Sequence, residues 1–407
     1  MSVPALPTNR DENWRYANLR ALARARVDAA QPPGAQPGAQ PAAELPTPLP
    51  GFERWVFVDG RCDASASTAR NNTNLAKLLD AREAGDAFAA QLDSDLASAG
   101  VDFALARINA ARGDEVLHIA LPDNASPAQV EVIFVASATA ASGTSYPRVQ
   151  ILAGRNTRLQ FVERHLSAAA AESAVNAAMD IALRPGAQLD HVRVQHCSAT
   201  TSVFDTLVAQ VGEAADYRFR SVTLGGNATR STLFVKLAGR TARCELSSAC
   251  VANGIQTHDV FAEIEHAAPQ TVTREMFRGI AGGRGKLAFN GKMIVRADAH
   301  DADSDQSLKS LLTGSGSEAA ARPQLEIYTD RVRAKHGATT GKLDEQMLFY
   351  LLSRGLDRPT AQALLQWAFI EDAVSQIGIE PLRREVERLV SAQLLEVAPL
   401  GLLGDAS

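Results

Sequence analysis

The sequence predicts a mainly β chain, a long β core flanked by helical regions at both ends. Three observations predict it. From Glu115 to Val295, short runs that alternate apolar and polar residues recur every ten to fifteen residues, each bounded by Gly, Asn, Asp or Pro. No strong helical pattern interrupts them. After Gly341 the apolar period changes to that of a helix. These shifts place an N-terminal region at 1–112, a β core at 113–339 and a C-terminal helical domain at 340–407.

The N-terminal region opens with Trp14, Leu19, Leu22 and Val27 among arginines, the pattern of a short amphipathic helix over 12–30. QPPGAQPGAQPAAELPTPLP, residues 31–50, is rich in Pro, Gly and Ala and nearly uncharged, which predicts a mobile linker. RWVFVDGR then reads as a hairpin strand, and residues 68–111, rich in Ala, Leu, Asn and Asp, as helix.

The β core contributes EVLHIAL, VEVIFVA, RVQILA, RLQFVERHL, AVNAAMDIAL, QLDHVRVQH, VFDTLVAQV, DYRFRSVTL, RSTLFVKLA, RCELSSACV, HDVFAEI, TVTREMF and KLAFNGKMIV. More than a dozen such runs exceed what one sandwich or barrel uses, and the filling residues are small. Aromatics are only 5% of the chain. A parallel β-helix, in which each coil buries a thin core against the last, accounts for this best. A pair of sandwiches stays open, because no strict repeat is visible.

In the C-terminal region Leu343, Met347, Leu348 and Leu351 share one face, with Gly355 as the stop. Pro359 stands at a first helical position, followed by Leu364, Leu365, Ala368 and Phe369. Pro381 opens a third helix with Leu382, Val386, Leu389 and Val390 inward.

Composition excludes several function classes. A net charge of −5 gives no general attraction to nucleic acid or to anionic membranes. No run of about 18 apolar residues offers a transmembrane helix, and the N-terminus lacks the apolar segment of a secretory signal. Cys62, Cys197, Cys244 and Cys250 are scattered without a CxxC pair, which fits a reducing cytoplasm and no zinc ribbon.

The local motifs are mostly structural. GIAGGRGKL, residues 279–287, lacks the first glycine and the final Ser/Thr of a phosphate loop, so it reads as a tight turn between coils. In HDVFAEIEH, alternation puts His258 and His266 on one face, but they lie roughly 26 Å apart along a strand. They cannot share a metal there, and a solvated strand face is expected. His191 and His196 fall on opposite faces. Cys197, Cys244 and Cys250 read as buried small hydrophobes. His336 differs. It lies in RVRAKHGATTG, where strand pattern gives way to turn residues, and the small Gly337, Ala338 and Gly341 let another backbone or a cluster come close. A neutral imidazole is a competent iron ligand, but from the residues alone a helix-capping or interface histidine is the more ordinary reading.

Several segments together resemble the SufB/SufD family of iron–sulfur cluster assembly scaffolds. They are GGNATRSTLFVKLAG (225–239), FNGKMIVRADAHDADSDQSLKSLL (289–312), PQLEIYTDRVRAKHGAT with GKLDEQMLFYLLSRGL (323–356), and NWRYANL near the start. The clear resemblance covers about residues 225–375, and the Gly-Ala-Thr after His336 points to the SufD-type branch. The resemblance implies a right-handed parallel β-helix flanked by helical regions. It implies a complex with a SufB-like subunit through β-helix strands such as those carrying Leu325, Ile327 and Tyr328. It implies a SufC-like ATPase on the C-terminal helices around Phe349, Leu352, Arg354, Leu356 and Phe369, with no ATPase on this chain. His336 would contribute to a transient cluster shared with the SufB-like subunit. Reduced flavin is associated with the family complex, but no dinucleotide fingerprint is present here, so FAD stays open.

Two departures stand out. Where the family often has Cys-Ser before the histidine, this chain has Ala334 and Lys335, and its usual Ala-Gln is Ala299-His300. A homodimeric interaction scaffold and a β-helix enzyme acting on carbohydrate are the alternatives. The second lacks the aromatic platforms such enzymes use.

Overall fold

A computed structural model describes residues 5–27, 44–68, 75–80, 101–137, 143–168 and 172–397. The alternating runs become strands of two parallel sheets, and successive strands pass from one sheet to the other. In chain order they are β1 (Glu53–Val58), β2 (Arg61–Cys62), β3 (Ala76–Asp80), β4 (Glu115–Leu121), β5 (Ala128–Ala136), β6 (Thr144–Ser145) and β7 (Arg148–Ala153). There follow β8 (Arg158–Ser167), β9 (Ser173–Leu183), β10 (Gln188–Cys197), β11 (Thr201–Val211), β12 (Asp216–Gly225), β13 (Ala228–Leu237) and β14 (Arg243–Ala252). The last are β15 (Thr257–His266), β16 (Val272–Ala281), β17 (Lys286–Val295), β18 (Ala302–Leu312), β19 (Glu318–Ile327) and β20 (Val332–Gly341). The helices are α1 (Leu19–Ala25), α2 (Ala104–Arg112), α3 (Glu345–Ser353), α4 (Arg358–Val374) and α5 (Glu380–Val397).

The first sheet runs β2-β1-β5-β8-β10-β12-β14-β16-β18-β20, and the second β19-β17-β15-β13-β11-β9-β7-β4-β3. This is a β-solenoid, as the sequence predicts. Ser202 pairs with Ala228, and Lys286 with Glu318, so one coil takes between 26 and 32 residues. That varying coil length is why no strict repeat shows in the sequence. At the N-terminal end the hairpin β1–β2 and the antiparallel pair β3–β4 close the two sheets.

One face of every strand points into the lumen. Leu159, Phe161, Leu189, Phe219, Leu246 and Phe277 of the first sheet meet Met179, Ile181, Leu207, Leu233, Ile264 and Phe289 of the second. In-register pairing stacks like on like, so truncating one such leucine to alanine costs about 2–5 kcal/mol. The Gly-rich loop after β16 is a turn, as expected. Gly283 has φ +60°, and a Cβ there would lie 3.0 Å from the backbone N of Gly254 in the turn below. The glycine serves close stacking of turns.

Parts of both outer faces are covered. Val192, Val194, Val222, Leu224, Val251 and Ile280 of the first sheet pack under Ile370, Val374, Leu382, Val386 and Val390 of α4 and α5. On the second sheet Trp14 is fully buried. Its indole N–H donates to Asp102 at 2.7 Å, and the Arg230 guanidinium lies 4.5 Å from its ring centroid.

Five expectations need correction or bounding. Residues 68–111 are not helical throughout: 76–80 form β3, and α2 begins only at Ala104. Residues 69–74 and 81–100 lie outside the described residues, as do 28–43 of the expected linker. His258 and His266 are not on a solvated face but buried in the lumen beside Ala262 and Ile264. The alternation was right, yet both faces of a solenoid wall are covered, so titratable residues do not mark the wet one. Pro359 and Pro381 each occupy the second helical residue. Finally, His336 lies within strand β20, not in a turn.

Candidate functional site

The solenoid ends on two strands that are paired on one side only. Among the described residues, β19 of the second sheet is bonded to β17 alone, and β20 of the first to β18 alone. Unpaired strand edges present N–H and C=O groups that a further strand can complete. Among the described residues no α-helix covers this end as α4 and α5 cover the wall, although Arg322 of β19 is ion-paired to Glu12, and most of both strands is exposed or half-buried. Ile327 and Tyr328 are exposed at the end of β19, whereas Leu325 packs partly onto the lumen core.

His336 is exposed on β20 and is the register partner of Gln306 on β18. Gln306 in turn is the register partner of Glu275 on β16. In-register residues of parallel strands share a face. Gln306 and Glu275 are buried in the lumen, so His336 stands on the lumen face at its mouth. Its neighbours on that face of β20, two residues away on either side, are Ala334 and Ala338. The imidazole is therefore flanked by methyl groups. Lys335 is on the opposite face, in register with Asp305.

Beneath the mouth the lumen becomes polar. Gln306 Nε2 donates to Glu275 Oε2 at 2.6 Å. Burial pushes the Glu275 carboxyl up to about 8, against the pull of the Gln306 bond. Deeper in, Glu163 accepts from Arg193 at 2.9 Å and meets His165 at 2.6 Å and His191 at 3.0 Å. Burial alone would raise the Glu163 carboxyl, but Arg193 and His165 hold it well below the usual carboxylate range. Among the described residues His165 Nδ1 has no partner, but the other bonds of this inner network stiffen the coil.

Among the described residues, no three His, Cys, Asp or Glu side chains converge as a metal site. His336 therefore cannot complete an iron site from this chain's described residues. The free cysteines do not help. Cys197, Cys244 and Cys250 are buried, and burial raises each thiol, to about 12 for Cys197. Ala334 lies on the face of His336, where the family resemblance brings a cysteine, so this mouth offers an imidazole without an adjacent thiol.

The C-terminal residues are split. Phe349 is 72% exposed on α3, next to exposed Met347 and Tyr350, and the Arg354 guanidinium lies 5.1 Å from the Tyr350 ring centroid. Leu364 of α4 is also exposed. Leu352 and Leu356 are half-buried. Phe369 packs against the core between α4 and the first sheet, so it anchors the helices to the wall. Sequence reasoning missed Glu275 and Gln306. They are separated by one coil, and only the register brings them together.

Residues 134–369 match the family model described as SUF system FeS cluster assembly, SufBD core domain. The iron–sulfur cluster assembly protein SufD of Escherichia coli is 26% identical over 396 residues, covering 96% of this chain and 89% of that protein. An iron–sulfur cluster assembly SufBD family protein of Synechocystis is 28% identical over 220 residues, 54% of this chain and 49% of that protein. One of Mycobacterium leprae is 30% identical over 192 residues, 45% of this chain and 48% of that protein.

Proposed function

The chain belongs to the SufBD family of SUF-system iron–sulfur cluster assembly proteins, and from that premise we propose that it is a SufD-like scaffold subunit without catalysis of its own. It pairs with a SufB-like subunit, carries a SufC-like ATPase on its C-terminal helices, and helps build clusters in the cytoplasm. The observation that carries this reading is the open end of the solenoid. Two half-paired strands, with an imidazole at the lumen mouth, form an incomplete site of the kind a second subunit finishes.

In this reading a partner strand adds to the β19–β20 end by backbone hydrogen bonds. His336 then faces the seam, and its bare ring nitrogen gives a lone pair to iron of the nascent cluster, which is cargo. The partner supplies the remaining ligands. The exposed face of Met347, Phe349 and Tyr350 receives the ATPase, whose ATP-driven movement pulls on α3. Because α4 and α5 are packed and ion-paired to the first sheet, through Arg278–Asp372 at 3.0 Å among others, that pull reaches the wall and the seam.

The test is His336→Ala in the natural host. The complex should still copurify with SufB-like and SufC-like partners while cluster formation falls. Unchanged cluster yield removes the ligand role, and recovery of the chain only as a homodimer removes the subunit reading.

A further inference from the structure

We infer that Gln306 positions His336, and that Glu275 and Gly291 hold Gln306 for that task. The inference rests on the reading of His336 as a cluster ligand. His336, Gln306 and Glu275 form one ladder on the lumen face, each one strand from the next. Neighbouring strands lie about 4.8 Å apart, within reach of a side-chain hydrogen bond.

The buried members of the ladder are only half satisfied. Gln306 is 1% exposed and Glu275 is 3% exposed. Gln306 spends Nε2 on Glu275, and its Oε1 has no hydrogen-bond partner among the described residues. Native structures seldom leave a buried amide oxygen unpaired, and such a group calls for an explanation. With Nε2 turned inward to β16, Oε1 is the atom left for the strand on the other side, which is β20. The group that β20 places there is the imidazole of His336.

The opposing wall makes room for the pair. Gly291 stands in mid-strand on β17, where glycine packs nothing and weakens the strand. A Cβ there would lie 2.9 Å from Glu275 Oε2 and 3.0 Å from Gln306 Nε2. The missing side chain is the space the polar pair occupies.

The chemical consequence concerns the tautomer. A neutral imidazole has one N–H and one bare nitrogen, and the partner of the first decides which nitrogen is free to bind metal. Gln306 Oε1 can only accept, so it takes the ring N–H and leaves the other nitrogen bare toward the mouth. The hydrogen bond from Gln306 Nε2 to Glu275 Oε2 holds the amide in this orientation. An inverted Gln306 would present N–H groups to His336 and would bind the nitrogen that iron needs.

The experiment compares Gln306→Leu, Glu275→Leu and Glu275→Gln. Selective 15N-histidine NMR of the full free chain, with His336→Ala for assignment, reads the ring tautomer. Ferrous iron binding by the copurified complex reads the site. The unsubstituted chain should show one tautomer. Gln306→Leu and Glu275→Leu should give a mixture and weaken iron binding about tenfold, the smaller end of outer-shell effects at metal sites. Glu275→Gln, whose amide oxygen still accepts from Gln306, should restore both. If Gln306→Leu does not fold, Gln306→Asn withdraws the acceptor by one carbon and should give the same mixture. A single unchanged tautomer with unchanged iron binding in Gln306→Leu overturns the inference. If His336→Ala leaves iron binding intact while Gln306→Leu still mixes the tautomers, the positioning stands and the ligand reading falls.

Discussion

Arg164 on β8 reaches out of the solenoid wall to Glu385 on α5 with both terminal nitrogens, at 2.8 and 3.1 Å, while its Nε donates to Glu131 on β5 at 2.8 Å. Glu131 also accepts from Arg54 on β1 at 2.7 Å. One line of charge thus ties the last helix to three strands of the first sheet. Removing Arg164 strands a buried carboxylate on one remaining partner. Arg164→Met is therefore expected to cost about 3–5 kcal/mol, read as the urea midpoint. Glu385→Gln, at the more exposed end, should cost about 1 kcal/mol. Equal midpoints for Arg164→Met and the unsubstituted chain would remove this line as the rigid link between helices and wall.

The exposed face of α3 makes a second prediction. Phe349 contributes little to the free chain, so Phe349→Asp should change its stability by no more than about 0.5 kcal/mol. The same change puts a charge into the apolar patch proposed for the ATPase. Copurification of the ATPase should fall by an order of magnitude or more while the melting temperature holds. Full recovery of the ATPase with Phe349→Asp would move the dock elsewhere.

The wall of the solenoid was legible because each strand must send alternate residues into a thin apolar lumen. KLAFNGKMIV and EVLHIAL match β17 and β4 to the residue. The closing coil was not legible for the opposite physical reason. Among the described residues β20 has no strand beyond it and little to bury, so VRAKHGATTG carries small and polar residues that look like a turn. The same applies to the site. His336 stood out by its surroundings, but Gln306 and Glu275 lie 30 and 61 residues before it. Coils of unequal length hide that alignment until the register is known.

The buried lumen histidines set the acid limit. Burial lowers His258 and His266 from 6.5 to about 4 each. A histidine whose folded value is depressed supports the fold above its unfolded value, and that support is lost as pH falls from about 6.5 toward 4. Each contributes about 3 kcal/mol across that window. Urea midpoints taken from pH 7 to pH 4 should fall steeply, and His258→Leu should flatten part of the slope. A slope unchanged by His258→Leu would mean that the histidine already finds a proton inside the fold.

Glu275 works in the other direction. Its folded value is raised from 4.5 to about 8, so the native state holds a proton that the unfolded chain gives up. The carboxyl therefore favours folding fully below about pH 4.5, and that contribution is lost as pH rises to about 8, amounting to about 5 kcal/mol in all. Glu275→Gln cannot ionise and keeps an oxygen for Gln306. Its stability should match that of the unsubstituted chain below about pH 4.5, exceed it increasingly from there to about pH 8, and keep a constant lead above that. Unfolding midpoints for the two proteins at four or five pH values measure this directly. If the curves run parallel throughout, Glu275 does not carry a buried proton. The lumen would then have to solvate an anion beneath His336, and the orientation of Gln306 would rest on its bond to a carboxylate.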